Sequence, residues 1–291
     1  MNVSIVVNPV AGSGKAKKIG SPAAKMLEER GCNVEYVISK YPGHPMELSR
    51  EAFKKGPDLI VAAGGDGTVS EVANSLVGTK TPLGILPFGR GNDISRSLNI
   101  PSDLEGAVKN LLSGNIKTID TGRVKDRYFL GIGGAGFDGE VVNLTNRYRS
   151  LLPSPFLAYV MGMLVELAVF TPKVISLDID GNKREFRAYM IMVGNGPQYG
   201  GGMKALPGAS LVDGELDVCV IKDISKIDFL NTFPKVYTGS HIYHPGVVML
   251  KGKSITLSSE SKLFVHADGE LLGRLPATFE VMPVRLKVVA P

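Results

Sequence analysis

Short runs rich in apolar and β-branched residues recur along the first part of the chain: "VSIVVN", "NVEYVI", "DLIVAAG" and "PLGILP". Segments with helical signals separate them, and this alternation predicts a parallel sheet with helices on its faces. Some helix ends are marked locally. Ser21 before Pro22 reads as an N-cap followed by proline at the first helical position, and "AAKMLEERG" stops at Gly31, a glycine just past the last turn. Thr68 with Glu71, and Ser102 with Glu105, have the spacing of a capping box.

After about residue 122 the rhythm changes to runs such as "VISLDIDGNKREFRAYMIMVGNG", "GELDVCVI" and "KLFVHADGELLG". Strand, Asp-Gly, strand is the signature of a tight antiparallel hairpin, so a second, mainly β domain is expected over residues 123–283, after an α/β domain over 1–122. Asp180-Gly181, Asp213-Gly214 and Asp268-Gly269 all read as such turns. The longest apolar stretch, residues 156–170, falls short of the roughly 20 residues that span a bilayer and contains Glu166. It reads as a largely buried helix. The alternative is an interfacial role, with Arg147 and Arg149 just before it at a membrane surface.

Composition narrows the class. The 291 residues are 44% hydrophobic and 21% charged, with 35 glycines, which is a globular, turn-rich chain of a length where one domain commonly becomes two. A net charge of +5 favours acidic partners, nucleotides or anionic lipid among them. Nucleic acid is not expected, because no Lys/Arg run marks an arm and tryptophan is absent. Cys32 and Cys219 sit in apolar, strand-like contexts and call for no disulfide, and "MNVSIVVNP" reads as a strand rather than a signal peptide, so a reducing cytoplasm is expected.

In a parallel sheet the loops after successive strands converge on one edge, where ligands bind. Three of these loops are rich in glycine: "NPVAGSGK", "GGDGTVSE" and "PFGRGNDIS". Each leads towards a helix N-terminus, so free N–H groups and the helix dipole would face a polyphosphate. Asp66 carries an acid into that cradle. It shapes the loop as an Asx-turn, or meets the phosphates through Mg²⁺ or metal-bound water, and the two roles can coexist. "GSGKAK" is not a P-loop, since Pro9 holds the place where that motif needs its first glycine. "GIGGAG", residues 131–136, lies past the parallel sheet and is better explained by close packing than by a dinucleotide. His241 and His244 have no acidic or Cys partners nearby and read as loop residues rather than zinc ligands.

"NPVAG", "GGDGTVSEV", "LPFGRGNDISRSL", "GNGPQYGGGMKALPGASLVDGELDV" and "HADGE", in this order, resemble the diacylglycerol kinase catalytic-domain family, which includes lipid and sphingosine kinases, with NAD kinases as distant kin. The resemblance runs from about residue 3 to the end of the chain. It implies an N-terminal α/β nucleotide domain and a C-terminal β-sandwich-like domain, with the last residues, 284–291, returning to the first. It further implies an ATP- and Mg²⁺-dependent lipid kinase acting on a hydroxyl such as that of diacylglycerol, cytoplasmic and transiently peripheral to the membrane. A homodimer is among the assemblies this reading allows. An NAD kinase and a non-catalytic lipid-binding module are the alternatives.

By the same resemblance, Asn8, Pro9, Val10, Ala11 and Gly12, then Gly64, Gly65, Asp66, Gly67, Thr68, Val69 and Ser70, would line the ATP site, with Ser39, Asn92 and Asp93 beside them. Arg90 stands where the family often has Thr or Ser, and its guanidinium either clamps phosphate or points elsewhere. Asp268 and Glu270 would supply the acid-base chemistry, either one as the base. Asp213 with oxygens near Ser210 and Glu215 would hold a structural Mg²⁺.

Overall fold

The structure, a computed structural model, describes residues 1–148 and 155–291. Four strands, β1 (Asn2–Val7), β2 (Asn33–Ile38), β3 (Leu59–Gly64) and β4 (Leu83–Pro87), run parallel in the order β2, β1, β3, β4. β3 and β4 are buried at every residue, as continuous apolar runs covered on both faces must be. β1 feeds both sides by alternation. Val3, Ile5 and Val7 pack with Ala16, Ala23 and Leu27 of α1 (Ala11–Glu28) and with Val108 and Leu111 of α5 (Leu104–Ser113). Val6 faces Ala52 of α2 (His44–Lys54) and Val69, Val72 and Leu76 of α3 (Asp66–Leu76).

The helix ends depart from the sequence signals. α1 starts at Ala11 and contains Pro22; Gly12, Ser13 and Gly14, all left-handed, make the break that Ser21 was expected to make. α3 begins at Asp66, so Thr68 lies within its first turn and its hydroxyl accepts from the Asn8 side-chain amide at 3.0 Å instead of capping. Asp103, one residue after Ser102, caps α5 by accepting from the Gly106 N–H at 2.7 Å.

The second half is antiparallel. β9 (Asn182–Gly194) is central, flanked by β7 (Ile132–Gly136), β8 (Lys173–Ile179) and β10 (Leu216–Lys222), while β13 (Phe264–Ala267) pairs with β7 and with β14 (Glu270–Arg274). β6 (Arg127–Phe129) pairs with β5 (Ile116–Val124), and β11 (Val247–Gly252) with β10. The long β15 (Ala277–Val289) bridges the halves, pairing with β12 (Ser254–Ser258) at its start, with β5 along its length and with Leu83 of β4 at Val288. Where its register slips, Val284 is held at φ 47° and its N–H donates to Asp120 at 2.6 Å.

Asp180-Gly181 and Asp268-Gly269 form the expected hairpin turns, with positive φ at both residues of each. Asp213-Gly214 does not, because it leads from a long loop into β10 rather than joining two strands. "GIGGAG" is a packing device. A Cβ on Gly134 would lie 2.4 Å from the carbonyl oxygen of Ile191 on β9.

α6 (Phe137–Tyr148), α7 (Pro155–Val169) and α8 (Lys226–Thr232) pack around an aromatic cluster of Phe137, Phe170, Tyr189 and Phe229. α7 is not the largely buried helix expected. Its inward face (Ala158, Met163, Leu167) meets α6 and this cluster, while Met161, Leu164, Val165 and Val169 are exposed, since no described element lies outside them. Arg149 falls outside the described residues. His241 is buried with its Nε2 3.1 Å from the Ala205 carbonyl, and His244 accepts from the Gly246 N–H. No helix among the described residues is long and apolar enough to cross a membrane.

Candidate active site

The three glycine loops meet by backbone contact. A Cβ on Gly12, at φ +59°, would fall 2.1 Å from the Phe88 carbonyl oxygen, and one on Gly89 would fall 2.3 Å from the Gly65 Cα, so both positions demand glycine. The N–H groups of Phe88 and Gly89 donate to the Gly64 carbonyl. Asn8 ties the first loop to the second through Thr68, and the Asn8 side-chain oxygen accepts from the Val10 N–H. Arg90 bridges loops as well, donating to the Ser13 hydroxyl at 2.5 Å. Ser39, buried at the end of β2, donates its N–H to the Val7 carbonyl beside this rim. Val69 turns into the core, Ala11 packs against the core on the other face, and Pro9, Val10 and Gly67 lie in the loop and helix-start backbone.

α4 (Asp93–Ser97) opens the fourth-strand loop into a short helix. Asn92, left-handed at φ 54°, accepts from the Gly89 N–H and donates to the Pro87 and Gly89 carbonyls, fixing the turn from inside. Asp66 accepts from the Ile94 N–H at 3.0 Å, so its carboxylate does shape the rim. Burial pushes its pKa up to about 6, with the facing carboxylates of Asp93 and Asp268 adding to the rise against the Ile94 and Asn92 N–H bonds. Asp93 accepts from the Gly201 N–H at 2.7 Å and from Arg96 at 2.8 Å.

Across the cleft stands the Asp268 turn. Its carboxylate accepts from the N–H groups of Leu130 at 3.0 Å and Gly131 at 2.9 Å, and its backbone N–H donates to the Ile132 carbonyl. Burial holds the Asp268 carboxyl above the usual carboxylate range, while those N–H groups and the neighbouring Ser70 hydroxyl pull the other way. The late half meets the glycine rim where the Gly201 N–H donates to Asp93 and Gln198 donates to Ser97. Glu270 is more exposed and is held by Arg127 at 2.5 Å. His266, two residues before Asp268, is buried with its Nε2 2.8 Å from Asp138.

The expected cation turn is arranged differently. Asp213 accepts from the Glu215 N–H at 3.2 Å and pairs with Lys251 at 2.9 Å, which also reaches Asp217; the Ser210 hydroxyl accepts from the Val212 N–H. The ammonium of Lys251 thus occupies the Asp213 carboxylate, and a structural Mg²⁺ held there would have to displace it. Among the described residues no three His, Cys, Asp or Glu side chains converge to hold a metal. Mg²⁺ borne by nucleotide phosphates fits the rim better, since Mg²⁺ favours one or two carboxylates completed by phosphate and water.

Sequence reasoning missed several residues that build this site. Arg127, Gln198, Asp120 and Arg96 are single polar residues whose importance depends on chain segments 70 or more positions away, except Arg96, which neighbours Asp93. Gly200, Gly201 and Gly202, all at positive φ, carried a signal in the run "YGGGM".

A parallel-sheet rim of glycine loops facing a carboxylate on an antiparallel domain is an arrangement suited to phosphoryl transfer. Comparison with known proteins is specific. Residues 2–124 match the diacylglycerol kinase catalytic domain, and residues 131–290 match the YegS C-terminal NAD kinase beta sandwich-like domain. The chain is 32% identical to a diacylglycerol kinase of Mycobacterium tuberculosis over 99% of its own length and 95% of that protein's. It is 30% identical to one of Staphylococcus haemolyticus over 99% and 87%. A crystal structure of a diacylglycerol kinase from Bacillus anthracis superposes with a TM-score of 0.77 at 25% identity, covering 100% of this chain and 97% of that one. The chain belongs to the diacylglycerol kinase catalytic-domain family.

Proposed function

We propose that this protein transfers the γ-phosphate of ATP to the hydroxyl of a lipid such as diacylglycerol, with Mg²⁺ carried on the nucleotide, at a membrane surface. The observation that carries the reading is the meeting of the two halves at the rim, where the Gly201 N–H donates to Asp93 at 2.7 Å and Asp268 lies close enough to Asp66 to raise its carboxyl. In this reading residues 1–122 with 284–291 form the nucleotide half, and 123–283 the lipid half.

Each residue then has a task. Backbone N–H groups of the three loops and Arg90 would receive the phosphates, and Asp66, with Asp93 beside it, would hold the Mg²⁺ they carry. Mg²⁺, when bound, neutralises the developing charge on the transferred group. Asp268 accepts the proton of the attacking lipid hydroxyl; its raised pKa moves it towards the operating pH, where a base is most effective. Glu270, already engaged by Arg127, orients the entrance rather than taking the proton. Incubation with γ-labelled ATP, Mg²⁺ and total cellular lipid, with NAD in a parallel reaction, tests this. Label in phosphatidic acid supports the reading, and label in NAD alone overturns it.

A further inference from the structure

The exposed apolar face of α7 has no partner element among the described residues. Met161, Leu164, Val165 and Val169 follow helical spacing along one side, each at least 45% exposed. Ala168 lies among them, and no charged residue interrupts the stripe. The face continues onto α8. Lys226 donates to the Ala168 carbonyl at 2.5 Å, Phe170 and Phe229 both pack on Phe137, and Ile227 and Leu230 of α8 are exposed, Ile227 at 71%. Contiguous apolar surface of this kind marks an interaction site.

The charges around it select the occupant. Gly162 of α7 lies against Thr145 of α6, so the end of α6 flanks the start of the stripe. There Arg147 sits 5.6 Å over the ring of Tyr148, and both side chains are exposed. Lys226 and Lys173 stand at the opposite end, Lys173 donating to Thr171. The acids nearby are Glu166, half-buried on the flank of α7, Glu140 of α6, which lines one hollow with Glu166, Val169 and Lys173, and Asp228 in the first turn of α8. A second copy docked about a two-fold axis would oppose one cationic end to the other, which is repulsive, whereas anionic headgroups match both ends at once. The lipid itself points the same way. An apolar pocket behind α8, lined by Met190, Met192, Met203, Phe229 and Phe233, offers about 40 Å³, far below the roughly 300–1,000 Å³ of a small-molecule site, so acyl chains would stay in the bilayer.

We propose that the α7–α8 face seats this protein on an anionic bilayer, with the apolar stripe at the acyl-chain boundary and Arg147, Lys173 and Lys226 among the headgroups. This rests on the lipid-kinase reading above. The chain has no tryptophan, so Val165→Trp supplies a single fluorescent reporter on α7, and Phe53→Trp supplies a control on α2. With vesicles of equal parts phosphatidylglycerol and phosphatidylcholine, emission from the α7 reporter is expected to shift to the blue and emission from the α2 control to stay fixed. The double variant Met161→Glu/Val165→Glu is expected to lose vesicle sedimentation by roughly tenfold or more, while phosphorylating a water-soluble short-chain diacylglycerol at the wild-type rate. Unshifted emission from the α7 reporter, or vesicle binding unchanged by the two glutamates, would overturn the proposal. So would a wild-type dimer that ignores vesicles and falls apart in the double variant. A blue shift of the α7 reporter with no phosphorylation of any diacylglycerol would uphold the docking face and reject the substrate reading.

Discussion

Asp66→Asn removes a charge that the fold holds at a cost. The asparagine side chain keeps an oxygen to accept the Ile94 N–H, so the rim geometry survives the change. The wild-type carboxyl moves from 3.8 to about 6 on folding, a difference of about 2 pH units or about 3 kcal/mol. The folded state binds this proton more tightly than the unfolded chain does. Its contribution to stability is therefore fully present below about pH 4 and is lost as the pH rises through about 6. Asp66→Asn should accordingly be more stable than wild type at pH 7.5, by at most about 3 kcal/mol, and the advantage should vanish near pH 4. Urea unfolding of both proteins at the two pH values, followed by circular dichroism, measures this. Mg²⁺ with ATP should reverse the order at pH 7.5, because the variant leaves the cation Asp93 alone where the wild type offers Asp66 as well. A variant less stable than wild type by the same margin at both pH values would refute the reasoning and make Asp66 a structural Asx-turn.

Gly89→Ala should cost about 3 kcal/mol in urea melts, because its methyl would sit 2.3 Å from the Gly65 Cα and force two loops apart. Arg90→Ala should raise the KM for ATP roughly tenfold while leaving the KM for lipid unchanged, as loss of a charge-assisted contact would. Chelation with EDTA should leave the melting temperature of the nucleotide-free protein unchanged, because Lys251 already neutralises Asp213; a large drop would reveal a structural cation.

The parallel sheet and its glycine rim were legible because each rests on local pattern: apolar runs for β1, β3 and β4, and loop glycines whose neighbours leave no room for a Cβ. Helix starts were less legible. Left-handed Gly12 to Gly14 and the carboxylate of Asp103 overrode the signals at Ser21 and Ser102. The fate of the 156–170 segment was hidden for a different reason, since a helix whose one charge is Glu166 has too little polar face to show which side meets the core. The placing of Asp268 near the glycine rim joins distant parts of the chain through β13 and β7, and only the family resemblance anticipated it. Lys251 beside Asp213 was not legible either, since "VDGELD" does not display the ammonium that β11 brings to it.

The most direct measurement is the rate of phosphate transfer from labelled ATP to diacylglycerol in mixed micelles by wild type and by Asp268→Asn, with folding of the variant checked by its melting curve. Facing the rim as the proton acceptor, Asp268 should be worth roughly 10²- to 10⁴-fold in kcat, with little change in the KM for ATP. A folded Asp268→Asn protein turning over at the wild-type rate would contradict the account.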